Sequence, residues 1–127
     1  MVYSLNTGAV MVLIASCALS VARPLQADPP EIVDVDVSVT SGEARFSVTI
    51  AHPDTGWDHY ADGWRVELED GTVLDTRVLY HPHVEEQPFT RSLGGVALPD
   101  GTKTVHIRAK CSVDGWSTDT VAVPILP

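Results

Sequence analysis

The chain has 127 residues, with 17 Asp and Glu against 8 Lys and Arg, for a formal net charge of −9 at pH 7. That length holds one domain. An acidic excess of this size repels nucleic acid and anionic membranes alike, so neither is expected as a partner.

Residues 1–22 carry no Lys, Arg, Asp or Glu, and Ala9 to Ala22 is almost unbroken apolar sequence. A run of roughly 14 such residues is short for a bilayer span and suits the apolar core of a signal peptide. Ser20 and Ala22, or Ala27, offer the small residues of a cleavage site. The absence of a basic residue ahead of the run leaves a retained anchor as an alternative. A third reading uses Ile14-Ala15-Ser16-Cys17, which resembles a bacterial lipobox with Cys17 as the lipidated residue. We therefore expect a signal peptide and short lead over 1–27 and a folded domain over 28–127. The product would be periplasmic or secreted, or lipid-anchored through Cys17, with no membrane-spanning role after cleavage. Only Cys111 then remains, so an internal disulfide is impossible; the lone thiol is buried, paired with another chain, or bound to something.

From Pro30 onward the hydrophobic period is 2. Val33, Val35, Val37 and Val39 alternate with polar residues, Ser41-Gly42 turn, and Ala44, Phe46, Val48 and Ile50 alternate again, which reads as a half-buried hairpin. Trp64, Val66 and Leu68 form the inward set of the next strand, and Asp70-Gly71 is a tight-turn pair leading into Val73–Tyr80. Phe89–Leu93 is a weaker strand. After Pro99-Asp100-Gly101, Val105, Ile107, Ala109 and Cys111 share one face, and Val121, Val123 and Ile125 close the domain. About seven short strands with no helical period predict an all-β, immunoglobulin-like antiparallel β-sandwich following the signal segment.

Antiparallel connections alternate between the two ends of such a sandwich, which sends segments 52–62, 81–87 and 112–118 to one end. These segments hold His52, Asp54, Trp57, Asp58, His59, His81, His83, Glu85, Glu86, Asp114 and Trp116, with Cys111 at the strand mouth. Loops that concentrate such residues on a rigid scaffold are where function usually sits. Imidazoles and a thiolate suit iron, copper or zinc. His81-Pro82-His83 places two imidazoles two residues apart around a fixed backbone, so that both would face the same way in an extended segment. Against this stands the plainer reading, in which loop histidines face water or cap backbone groups and Cys111 is a small buried hydrophobe.

The order His52-Pro53, His59-Tyr60, Trp64 in a strand, then Cys111-Ser-Val-Asp114-Gly115-Trp116, resembles the superoxide reductase (desulfoferrodoxin iron-domain) family over about Pro30 to Trp116. The resemblance implies an immunoglobulin-like domain binding ferrous iron through four His and one Cys, and reducing superoxide at the open position. Only His52, His59 and Cys111 carry over as ligands. The intervals from His52 to His59 and from His59 to Trp64 are each one residue longer than the family's, Asp114 stands at its last histidine, and no His lies near residues 28–32 for its first. Thiosulfate-carrier partner proteins are similar in sandwich and His-Pro placement, without metal.

These readings predict an exported metal-binding protein that stores, carries or senses iron or copper. His52, His59, His81, His83 and Cys111 are the candidate ligands, and an electron donor or other protein is the candidate partner. Asp114 and Glu85 are expected in the second layer, with Trp57, Tyr60 and Trp116 as an adjoining surface. The alternative is a non-enzymatic interaction or carrier module that binds a protein or small ligand through the same loop tip. Whether there is catalysis, the residues leave open; no Ser-His-acid or paired-carboxylate arrangement stands out.

Overall fold

The computed structural model describes Ala18 and residues 28–126, so the expected signal segment and the Cys17 lipobox fall outside the described residues. The described chain is all-β: β1 Glu31–Thr40, β2 Glu43–Ala51, β3 Ala61–Glu67, β4 Val73–Val78, β5 Phe89–Ala97, β6 Thr104–Cys111, β7 Gly115–Trp116 and β8 Val121–Pro124. Two antiparallel sheets form, one ordered β1-β2-β5 and the other β4-β3-β6-β7 with β8 also on β6. The chain crosses between sheets after β2, after β4 and after β5. Among the described residues no helix is long and apolar enough to cross a membrane.

Alternation drives the packing. Ala44, Phe46, Val48 and Ile50 of β2 and Val105, Ile107 and Ala109 of β6 are all buried, and meet Trp64, Val66, Phe89 and Val96 between the sheets. On the opposite face of the first sheet, hydroxyls pair across strands, Ser47 with Ser92 at 2.8 Å and Thr49 with Thr90 at 2.7 Å. Such cross-strand pairs fix the register on the wet side while burial fixes it on the dry side.

The first strand departs from the simple alternation. Its register against β2 slips between Ile32 and Asp34, so Val33 is a bulge residue and 52% exposed. Ile32 takes the inward place ahead of the bulge, and Val35 and Val37 resume it behind. A bulge inserts one residue and reverses the facing of everything on one side of it, which a period-2 reading cannot foresee.

A short extra strand, β7, forms inside the expected 112–118 loop, ahead of the last expected strand, which is β8. Asp114 and Gly115 turn the chain, Gly115 at φ 75°, and β7 pairs with Lys110 and Cys111. The chain then leaves the ladder and returns as β8 opposite Thr104 to Ile107. Arg108 lies at the break, where its Nη1 donates to the carbonyls of Ser117 at 2.7 Å and Thr118 at 3.0 Å. Those carbonyls would otherwise lack a strand partner. This accounts for eight strands where about seven were expected.

Arg108 also braces the outer face of the second sheet. Its Nε donates to Glu67 Oε2 at 2.7 Å and its Nη2 to Oε1 at 3.1 Å, while Arg65 Nε donates to the same Oε2 at 2.6 Å. Glu67 is nearly buried, and the Arg108 hydrogen bonds, then those of Arg65, hold its carboxyl below the ordinary value of 4.5 against the opposing effect of burial. A carboxyl held low in the fold stabilises it at pH above the unfolded value. That contribution is lost as pH falls through the folded value, because the unfolded chain takes up the proton first. Glu67→Gln should therefore lower stability by about 1–3 kcal/mol at pH 7. It should also flatten the loss of stability below pH 4.5, as read by urea denaturation across that range.

Candidate metal site at the loop end

The inward series of two strands continue past the apolar core into ligand atoms. On β2, positions 44, 46, 48 and 50 lead to His52, just beyond the strand end and 3% exposed. On β6, positions 105, 107 and 109 lead to Cys111, fully buried. The three expected loops do share this end: Ser112 N donates to Tyr60 O at 2.9 Å, and His83 N donates to Asp54 Oδ2 at 2.8 Å.

Between them the loop after β2 folds back on itself. Thr55 N donates to His59 O at 3.0 Å and His59 N to Gly56 O at 3.2 Å, closing a small turn that Gly56 enters at φ 140°. This turn carries Trp57 and Asp58 outward and returns His59 toward the core. His59 is half-buried, its ring edge-on to that of His52 with centroids 4.7 Å apart.

His52, His59 and Cys111 accordingly converge, each offering a ligand atom within 4.8 Å of the others. His59 Nε2 stands 3.6 Å from Cys111 Sγ. Two donors bound to one ion at about 2.1 Å (nitrogen) and 2.3 Å (sulfur) lie roughly 3.6–3.8 Å apart in tetrahedral or trigonal geometry, so this edge of the triangle already has the size an ion needs. The sulfur accepts a hydrogen bond from Asp114 N at 3.3 Å.

His52 is the most constrained of the three. Its Nδ1 lies 2.6 Å from Asp54 Oδ1, with both side chains fully buried. An ionised carboxylate only accepts, so His52 donates from Nδ1. Its Nε2 is buried with no hydrogen-bond partner. A buried ring nitrogen without a partner is costly unless something fills its lone pair.

His81 and His83 lie apart from this group. His81 is exposed, and His83 is buried, stacked on Phe89 with centroids 3.9 Å apart. Arg91 Nη2 donates to His83 Nε2 at 2.8 Å, which occupies the atom a metal would use. The two rings are 4.7 Å apart and tilted by 43°. Glu85 is exposed, and Asp114 serves the sulfur through its backbone rather than its carboxylate. Trp57 is 68% exposed and meets Tyr60 edge-on at 5.7 Å, both on the loop that carries His59. Trp116 is placed elsewhere. It lies on the outer face of the second sheet, with the Arg65 guanidinium 4.1 Å above its ring.

Three residues that hold the loops at this end were not singled out by the sequence. Asp54 was visible in the loop as a carboxylate two residues past His52, but nothing in its spacing singled it out. Gln87, which accepts from His52 N at 3.0 Å and donates to His83 O at 2.8 Å, and Arg91 carry no sequence signal for their roles.

A protein of Halomicrobium mukohataei described as "Putative lipoprotein" is 40% identical over 93 residues, 72% of this chain and 45% of that protein. The chain thus spans less than half the length of the relative it matches. No family model and no solved structure matches.

Burial, then the Arg91 charge and then that of His81, lower the pKa of His83 below its ordinary 6.5. An imidazole held neutral stabilises the fold above the unfolded value, and the contribution is lost as pH falls through the folded value. Arg91→Ala should move the His83 pKa back up toward 6.5, as read from the ring-proton shifts in an NMR titration.

Proposed function

We propose that this is an exported metal-binding domain whose ion sits among His52 Nε2, His59 Nε2 and Cys111 Sγ. The observation that carries the reading is the buried, unpartnered Nε2 of His52 facing a thiol and a second imidazole. The resemblance to superoxide reductases adds support, because the three ligand positions it carries over are the three that converge. The similarity to the Halomicrobium mukohataei "Putative lipoprotein" supports export and attachment by a lipid.

Two imidazoles and one thiolate form a borderline-to-soft donor set that favours copper or iron over magnesium or calcium. Such an ion would supply redox chemistry. The chain supplies a dry floor of core side chains, a fixed imidazole, a sulfur held by Asp114 N, and access past half-buried His59. Reduction of superoxide is the first activity to assay, and a soluble electron donor is the partner it would need. A second reading, an interaction or carrier tip, draws on Trp57, which is too exposed to be a core anchor and lies two residues before His59.

Mature protein made without a histidine tag should take up one equivalent of Cu(I), Fe(II) or Zn(II) under anaerobic conditions. With Co(II) as a probe it should show a thiolate charge-transfer band. Cys111→Ser should abolish the band, and His59→Ala should weaken binding by about 10–100-fold. Protein that binds none of these ions by calorimetry or elemental analysis rules the reading out and leaves the interaction tip.

A further inference from the structure

We propose that Asp54 is the positioning residue of the site, holding His52 as the tautomer whose Nε2 is free for a metal and fixing the β3 backbone at Ala61, the cross-strand partner of Cys111. The proposal rests on the metal-binding reading of His52, His59 and Cys111. It goes beyond that reading by naming the residue that fixes how tightly the site binds.

The geometry points to Asp54 through three donors on one buried carboxylate. Oδ1 accepts from His52 Nδ1 at 2.6 Å and from Ala61 N at 2.9 Å, and Oδ2 accepts from His83 N at 2.8 Å. The first of these fixes the proton of His52 on Nδ1, so a neutral His52 presents the bare nitrogen at Nε2. A histidine ligand oriented by a carboxylate on its other nitrogen is a recurring arrangement in metal sites, where the carboxylate also raises the basicity of the ligand.

The second hydrogen bond reaches the strand beside the thiol. Ala61 is the cross-strand partner of Cys111, so the oxygen that turns the His52 ring also fixes the backbone opposite the sulfur. The third reaches the loop after β4. His52 and Cys111, 59 residues apart in the chain, are thus set relative to each other through one side chain.

Gln87 provides an internal control. It also joins the loop after β2 to the loop after β4, through His52 N and His83 O, but it does not touch the His52 ring. If Asp54 acts only as a loop clamp, removing Gln87 has a similar effect. If it acts by orienting the ring, removing Gln87 does not.

The test uses metal-free mature protein and Zn(II) as the probe. In wild type, nitrogen-15 shifts of the His52 ring should show the proton on Nδ1 before any metal is added. Asp54→Asn keeps the shape but places an NH2 where Asp has an oxygen, so it cannot serve all three donors. It should give a mixed His52 tautomer and a Zn(II) affinity lowered by about 10–100-fold. Gln87→Ala should keep the Nδ1 tautomer and bind within about threefold of wild type, which places its change well below that of a lost orienting partner. Asp54→Asn that binds like wild type, or Gln87→Ala that loses as much as Asp54→Asn, overturns the positioning role and leaves the metal site standing. Wild type that binds neither Zn(II) nor Cu(I) overturns both, and an Nδ1 tautomer in that protein then marks Asp54 as a structural cap alone.

Discussion

A carboxylate shut away from water has to fill its lone pairs from protein donors, because an unpaired buried charge costs more free energy than a small domain has to spare. Asp54 meets that demand from three places in the chain: an imidazole two residues away, the amide of Ala61, and the amide of His83 across the loop end. The rest of this end depends on it. The loop after β2 cannot lift away without stripping the carboxylate, the loop after β4 is held down by the same group, and the first residue of β3 is pinned where it pairs with Cys111. Backbone ladders alone would leave these loops free to vary.

The two faces of each sheet were largely legible because burial enforces the period. Phe46, Val48 and Ile50 must face the same way as one another, and the pattern shows which way that is. What stayed hidden were the places where the period changes phase. Val33 looks like its neighbours Val35 and Val37, yet the bulge turns it outward. No residue at that point signals an insertion, since a bulge is settled by how the partner strand fits. The break between β7 and β8 is similar, for it rests on Arg108 reaching two carbonyls nine and ten residues later in the chain.

At the site, strand parity told which loops meet, and the convergence of the 52–62, 81–87 and 112–118 segments followed from counting crossings. It did not tell which side chains within those loops point at one another. His81-Pro82-His83 is a plausible ligand pair on spacing alone, but direction is decided by neighbours. The flat face of Phe89 takes the His83 ring, and the Arg91 guanidinium takes its Nε2. The acidic residues were harder still, because a sequence as acidic as this one offers many carboxylates near any histidine. Burial separates Asp54 from the exposed Glu85 and Asp114, and burial in a loop is a property of the fold.

The position of the convergent group has a simple origin. Along β2 the inward residues run Ala44, Phe46, Val48, Ile50 and then His52; along β6 they run Val105, Ile107, Ala109 and then Cys111. Each series keeps its direction while changing chemistry at the last step, so the imidazole and the thiol cap the core from inside rather than decorate the surface. Two strands from different sheets deliver them to the same level, and the loop turn at Gly56 brings His59 back over them. The resulting donors continue the buried core series, and His59 is the half-buried member of the three. There, low polarity strengthens any interaction with a cation, and the packed strands, not flexible loops, set the spacing of His52 and Cys111. A donor set made by extending core strands one step beyond the core inherits the rigidity of the core, and in this chain Asp54 holds the ring of its buried imidazole.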